Sequence, residues 1–126
     1  VVSELKNRGL PPKESKILIL GLTFKENCPD TRNSKVFGLI DVLVSYGCDV
    51  EVWDPLIHSS DLPLKHRYQV IVEPKCAEYD AIICAVAHNT FLDIPKSQIF
   101  SWKKEKRSFV YDVKSCLGEG ISDLQL

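Results

Sequence analysis

The sequence predicts an α/β fold, a three-layer αβα sandwich around a mostly parallel sheet. Three observations carry that expectation. Ile17-Leu18-Ile19-Leu20 and Ala81-Ile82-Ile83-Cys84-Ala85-Val86-Ala87 are apolar at every position rather than at alternate ones. Strands buried on both faces beneath helices read this way, whereas half-exposed strands alternate. Val36, Leu39, Ile40, Leu43 and Val44 recur at the helical spacing between Lys16-Gly21 and Cys48-Trp53, so strand, loop, helix and strand follow in about forty residues. That order is a βαβ unit, whose crossover is right-handed. Alternation of this kind along the rest of the chain points to a Rossmann-like open sheet with helices on both faces.

The elements follow in order. Val1, Val2 and Leu5 sit at helical spacing, Gly9 offers a C-terminal cap, and Pro11-Pro12 forbid continuation. Residues 1–10 therefore read as the last turns of a connecting helix, and residues 11–126 as the domain proper. Lys16 to Gly21 is the first strand. A long polar loop, Thr23 to Asn33, leads to the helix at Val36, with Asn33 or Ser34 as its cap and Tyr46-Gly47 as its stop. Cys48 to Trp53 is the second strand, ending at Asp54-Pro55. Gln69 to Val72 is a short strand and Ala81 to Ala87 a central one. Ser97 to Lys104 is helical after Pro95, Ser108 to Val113 is the last strand, and the tail from Ser115 is loop-like.

Composition narrows the function. A chain of 126 residues suits one hydrophobic core. Sixteen basic against 17 acidic side chains leave a formal charge of −1, without the basic excess of a nucleic-acid binder. No apolar run approaches the roughly 18 to 20 residues that span a bilayer, and Val1 to Arg8 is no signal peptide. With no Met anywhere, the chain is expected to begin inside a longer protein. Five scattered cysteines, an odd number with no CxxC pair, indicate neither a disulfide framework nor a zinc site and fit a reducing cytoplasm. Cys84 reads as a small core residue.

Ligands of open parallel sheets bind beyond the carboxyl ends of the strands. Four places qualify: Leu22 to Asn33, Asp54, His88-Asn89 and Lys114-Ser115. The first holds two cations, Lys25 and Arg32, close to a helix N-terminus, where free backbone donors favour an anion. It has one glycine, so it is neither a GxGxxG nor a Walker loop. A solvated loop with Lys25 and Arg32 paired to Glu26 and Asp30 explains the same spacing, and the residues alone leave both readings open. His88 is a proton carrier or, more commonly for a lone strand-end His, a hydrogen-bonded structural residue. Asp54 is a ribose acceptor or a turn opener. Lys114 would add a cation to the same crevice.

Gly21-Leu22-Thr23-Phe24-Lys25-Glu26-Asn27-Cys28-Pro29-Asp30-Thr31-Arg32-Asn33-Ser34 resembles the signature of the UDP-glucose/GDP-mannose dehydrogenase family in its C-terminal domain. With Ala85-Val86-Ala87-His88 and Tyr111-Asp112-Val113-Lys114, it is similar to the subgroup acting on UDP-N-acetylhexosamines. The resemblance implies that the full-length protein oxidises the sugar C6 alcohol to a carboxylate for surface polysaccharide synthesis, using two NAD molecules in turn. The cysteine nucleophile and the NAD fingerprint would lie in the preceding domain, leaving no catalytic residue and no metal ligand here. Phe24, Lys25 and Lys114 match substrate-contacting positions and Arg32 one that reaches NAD. Lys114 stands where relatives carry an Arg, whose bidentate geometry a Lys does not reproduce. Expected partners are the N-terminal NAD-binding and central helical domains and a second copy in a homodimer. The sequence separates neither N-acetylglucosamine from N-acetylgalactosamine nor one pathway from another. A receiver domain is excluded because Leu22-Thr23 and Ala87-His88 replace the acids it needs. A nucleotide-binding or oligomerisation module without dehydrogenase chemistry is the remaining alternative.

Overall fold

The computed structural model describes residues 1–23, 25–31, 34–57 and 68–125. Helix α1 spans Val2–Asn7. It stops where expected: Gly9 takes a φ of 74° and donates to Lys6 O, while Leu10 N–H returns to Leu5 O at 2.8 Å. A 3₁₀ turn, Pro12–Glu14, leads into β1 (Lys16–Leu20), α2 (Val36–Ser45) and β2 (Asp49–Trp53). Then come β3 (Gln69–Val70), β4 (Ala81–Cys84), α3 (Asn89–Leu92), α4 (Lys96–Trp102), β5 (Phe109–Asp112) and β6 (Leu124–Gln125).

All six strands pair in parallel, in the order β3-β2-β1-β4-β5-β6. The chain builds outward from β1 to β3, crosses back, and builds the other way from β4. Alternate side chains of β1, β4 and β5 supply separate cores. Ile17, Ile19, Val50, Val52, Ala81, Ile83 and Phe109 pack with Leu5, Ile40 and Leu43 on one face. Leu18, Leu20, Ile82, Cys84 and Val110 pack with Phe91, Ile99 and Trp102 on the other. The unbroken apolar runs of β1 and β4 thus serve two cores at once, the reason their pattern does not alternate.

Several expectations need correction, among them the strand at Gln69, which ends at Val70 rather than Val72. The tail is not all loop, since Leu124–Gln125 adds a sixth strand beside Tyr111–Asp112; two residues carry no readable period. The central strand ends at Cys84 rather than Ala87. Ala85 and Val86 N–H both turn to Leu20 O, at 3.0 and 3.4 Å, and lead the chain out of the ladder. The helix after Pro95 runs Lys96–Trp102, not Ser97 to Lys104, because Lys103 has left helical geometry at ψ 134°. Helix α2 is capped by Lys35 without a side-chain bond. Ser34 Oγ, one residue earlier, accepts Val36 N–H at 3.3 Å, and Asn33 lies outside the described residues.

Candidate functional site

Strand register assembles the site. Trp53, Leu20, Cys84 and Asp112 pair side by side across β2, β1, β4 and β5. The residues that follow them, Asp54, Gly21, Ala85 and Val113, emerge along one edge. The strand order reverses between β1 and β4, the position at which open α/β sheets hold ligands.

Gly21 lets the two central loops touch. Its φ is 97°, and a Cβ there would lie 2.6 Å from Val86 Cβ and 2.9 Å from Val86 Cγ2. The loop after β1 then hangs on a buried polar cluster. His88, fully buried, accepts the Asn27 N–H on Nδ1 at 2.9 Å. Its ring proton therefore sits on Nε2, which donates to Asp54 Oδ2 at 2.9 Å with Thr23 Oγ1 at 3.2 Å. Asp54 Oδ2 also accepts Leu22 N–H at 2.8 Å, and Oδ1 accepts Leu56 N–H at 2.9 Å. A second link runs back, Asn89 N–H donating to Asn27 Oδ1 at 2.9 Å. Every lone pair or proton that His88 could lend to chemistry is committed. Both His88 and Asp54 are buried structural groups that set the path of the loop.

Above this cluster lies a cleft of about 280 Å³, lined by Thr23, Lys25, Glu26, Lys35, Val36, Ala85, Val86 and Lys114. Lys25 comes from the loop after β1, Lys35 from the N-cap of α2 and Lys114 from the turn after β5. All three are exposed, and none forms an ion pair with a described residue. Glu26 is the one acid among the described lining residues. The structure thus places Lys25 and Lys114 in one cleft, while Phe24 and Arg32 lie outside the described residues. Lys35 is a lining cation that the sequence reading passed over. Its signal was available, since it directly precedes the first apolar position of the helix, where a side chain meets the loop's anion-favouring end.

The same cleft does not fit a dinucleotide. A Rossmann pyrophosphate turn is short and needs three glycines for close backbone approach. Here 15 residues, 21–35, separate β1 from α2 and contain one glycine, already pressed against Val86. Nor do the described residues include a helix long and apolar enough to cross a membrane.

Comparison with known proteins gives the family. Residues 18–119 match the model of the UDP-glucose/GDP-mannose dehydrogenase family, UDP binding domain. Over all 126 residues the chain is 34% identical to the UDP-N-acetyl-D-glucosamine 6-dehydrogenase of Salmonella typhi, and 36% to that of Pseudomonas aeruginosa. It spans 29% and 30% of those two proteins' lengths. The fold is shared with the NDP-N-acetyl-D-galactosaminuronic acid dehydrogenase of Methanosarcina mazei Go1, with a TM-score of 0.79 and 19% identity, covering 93% of this chain and 24% of that one. The match takes in the end of β1, all of β4, the loop between β1 and α2 and the Lys114 turn, so this chain belongs to the UDP-glucose/GDP-mannose dehydrogenase family, as its UDP-binding domain.

Proposed function

We propose that the cleft at the ends of β1, β4 and β5 grips the diphosphate of a UDP-sugar, with Lys25 and Lys114 as its cations. One observation carries this reading: three lysines without ion-pair partners line one cleft, against a single carboxylate, among the described residues. Lys35 is the third of them. Phe24 and Arg32 are assigned to the substrate and to NAD by their positions in the family motif alone. Charge-assisted hydrogen bonds to a phosphate contribute about 1.5–3 kcal/mol each, less where water screens them.

In the intact protein this chain, residues 11–126 as the C-terminal domain and 1–10 as the end of the connecting helix, works with NAD-binding and central helical domains. A UDP-N-acetylhexosamine is oxidised at C6 from alcohol to carboxylate, the electrons leaving on two NAD molecules in turn. The names of the Salmonella typhi and Pseudomonas aeruginosa relatives support that substrate class. The nucleophile and the dinucleotide cradle belong to other parts of the protein, which acts as a cytoplasmic homodimer. What this chain supplies is position: it holds the anionic end while the sugar is presented elsewhere.

Calorimetric titration with UDP tests the cleft. The chain alone should bind weakly, with affinity falling as salt rises. Lys25→Ala and Lys114→Ala should each weaken binding about tenfold, equivalent to about 1.4 kcal/mol. Affinity unchanged in both variants would reject the assignment.

A further inference from the structure

Beneath the Lys114 turn lies a thiol pair that diphosphate binding does not use. Cys84 ends β4 and is fully buried, while Cys116 is half-buried beyond the end of β5. Their sulfurs stand 3.5 Å apart, although 32 residues separate them in sequence. Cys116 Sγ also faces Asp112 Oδ1 at 3.6 Å, and Asp112 Oδ2 accepts Leu117 N–H at 2.8 Å. Val113 N–H donates to Cys84 O and Ser115 N–H to Asp112 O, at 3.1 and 3.3 Å, with Ser115 in the left-handed region at φ 52°. Residues 112–117 thus make a tight turn that leaves Lys114 exposed on the cleft while the Cys116 sulfur meets that of Cys84.

We propose that Cys84 and Cys116 form a redox-active pair whose disulfide pins the Lys114-bearing turn to the end of β4. A disulfide has sulfurs about 2.05 Å apart, so they must close by about 1.5 Å. The ladder bonds of β4 to β1 and β5 hold Cys84 in place, and the turn is the side that moves. The co-reactant is a small dialkyl disulfide of the glutathione class. The Cys116 thiolate attacks it, forming a mixed disulfide and releasing one small thiol. Cys84, after losing its proton, attacks the Cys116 sulfur and releases the second. Two electrons pass from the protein thiols to the small disulfide, and the two released thiols take up the two protons.

Burial pushes both thiols above the ordinary range. This favours a disulfide over a metal at the same cluster. Exchange requires one thiolate at a time, and Cys116, the more exposed, goes first. A bound cation would require both thiols ionised together. It would also require a fourth ligand, whereas Cys84, Asp112 and Cys116 supply three.

The test treats the reduced intact protein with oxidised glutathione at mildly alkaline pH. Two thiols should disappear, the mass should fall by two hydrogen atoms, and digestion should release a peptide pair joining Cys84 to Cys116. Dithiothreitol should reverse all three changes. Amide exchange across residues 113–117 should slow on oxidation. Cys116→Ser, a change at a half-exposed position that leaves the core intact, should abolish both the cross-link and the slowing. The proposal fails if native protein keeps both thiols, stops at a mixed disulfide, bridges through Cys28 or Cys76, or shows unchanged exchange. It also fails if one equivalent of zinc binds and protects both thiols. None of these readouts involves a nucleotide, so they stand or fall apart from the diphosphate reading.

Discussion

Gly21→Ala should be among the most damaging small substitutions in this chain, and its cost can be worked from the geometry. A non-glycine residue at a φ of 97° pays for the left-handed backbone, about 1–2 kcal/mol. The new methyl would stand 2.6 Å from Val86 Cβ, 2.9 Å from its Cγ2 and 3.2 Å from its backbone nitrogen. Two of these atoms belong to the first bonds of a buried neighbour and cannot swing aside. Forced overpacking of this kind costs about 1–3 kcal/mol. The sum, about 2–5 kcal/mol, is a large share of the total of about 5–15 kcal/mol expected for a domain. With a urea slope of about 2 kcal/mol/M, the unfolding midpoint should drop by about 1–2.5 M. Val86→Ala in the same chain removes only the Cγ2 contact, so the double variant should recover a part and no more. Because Leu22 and Thr23 bind Asp54 and His88 immediately downstream, UDP affinity should fall as well. A loss under about 0.5 kcal/mol, the level of an ordinary surface change, would refute the close approach of the two central loops.

Two further outcomes follow from the buried and bridged charges. His88→Phe leaves the Asn27 N–H without its acceptor and removes the His88 bond to Asp54, whose carboxylate keeps the Leu22 and Leu56 N–H donors. At about 1–3 kcal/mol for the orphaned N–H, with the lost bond to the Asp54 carboxylate added to it, the urea midpoint should again fall by about 1 M; a neutral result would return His88 to the list of chemical candidates. At the opposite end of the sheet, Lys16 Nζ bridges Glu78 Oε2 at 2.6 Å and Glu51 Oε2 at 3.1 Å. The bond to Lys16 holds the Glu78 carboxyl below its usual range, and the bonds to Glu78 and Glu51 hold the Lys16 ammonium above its own. The Glu78 contribution is therefore present above the unfolded value of about 4.3 and is lost as pH falls through the depressed folded value. The Lys16 contribution is present below about 10.4 and is lost only as pH rises through the raised one. Lys16→Met should flatten the acid limb of a urea-midpoint profile, and an unchanged limb would contradict the bridge.

Much of the fold was legible because burial on two faces leaves a local trace. The runs in β1 and β4 and the period of α2 each report their own environment within a few residues. Strand β6 left no such trace, since two residues paired at a sheet edge carry no period. The ends of β4 and α4 shifted for a related reason: Ala85 and Val86 are as apolar as the strand before them, and their departure is set by Leu20 O, a partner far away in sequence. For the site, Lys25 and Lys114 could be named from motif resemblance; Lys35 was legible as a helix-entry cation, but only the fold sets it beside them.

By itself the sequence determined the class of fold, the family and the loop on which cations would be found, because apolar period and a long contiguous motif are local properties. Only the tertiary structure decided what His88 and Asp54 do. A lone histidine reads the same whether it faces a ligand or a carboxylate, and here the β2, β1, β4 register carries Asp54, Leu22 and His88 into one dry cluster. It likewise decided that Lys25, Lys35 and Lys114, up to 89 residues apart in sequence, share a cleft, and that Cys84 meets Cys116. Proximity across a parallel sheet is created by crossover connections, and no window of sequence contains it.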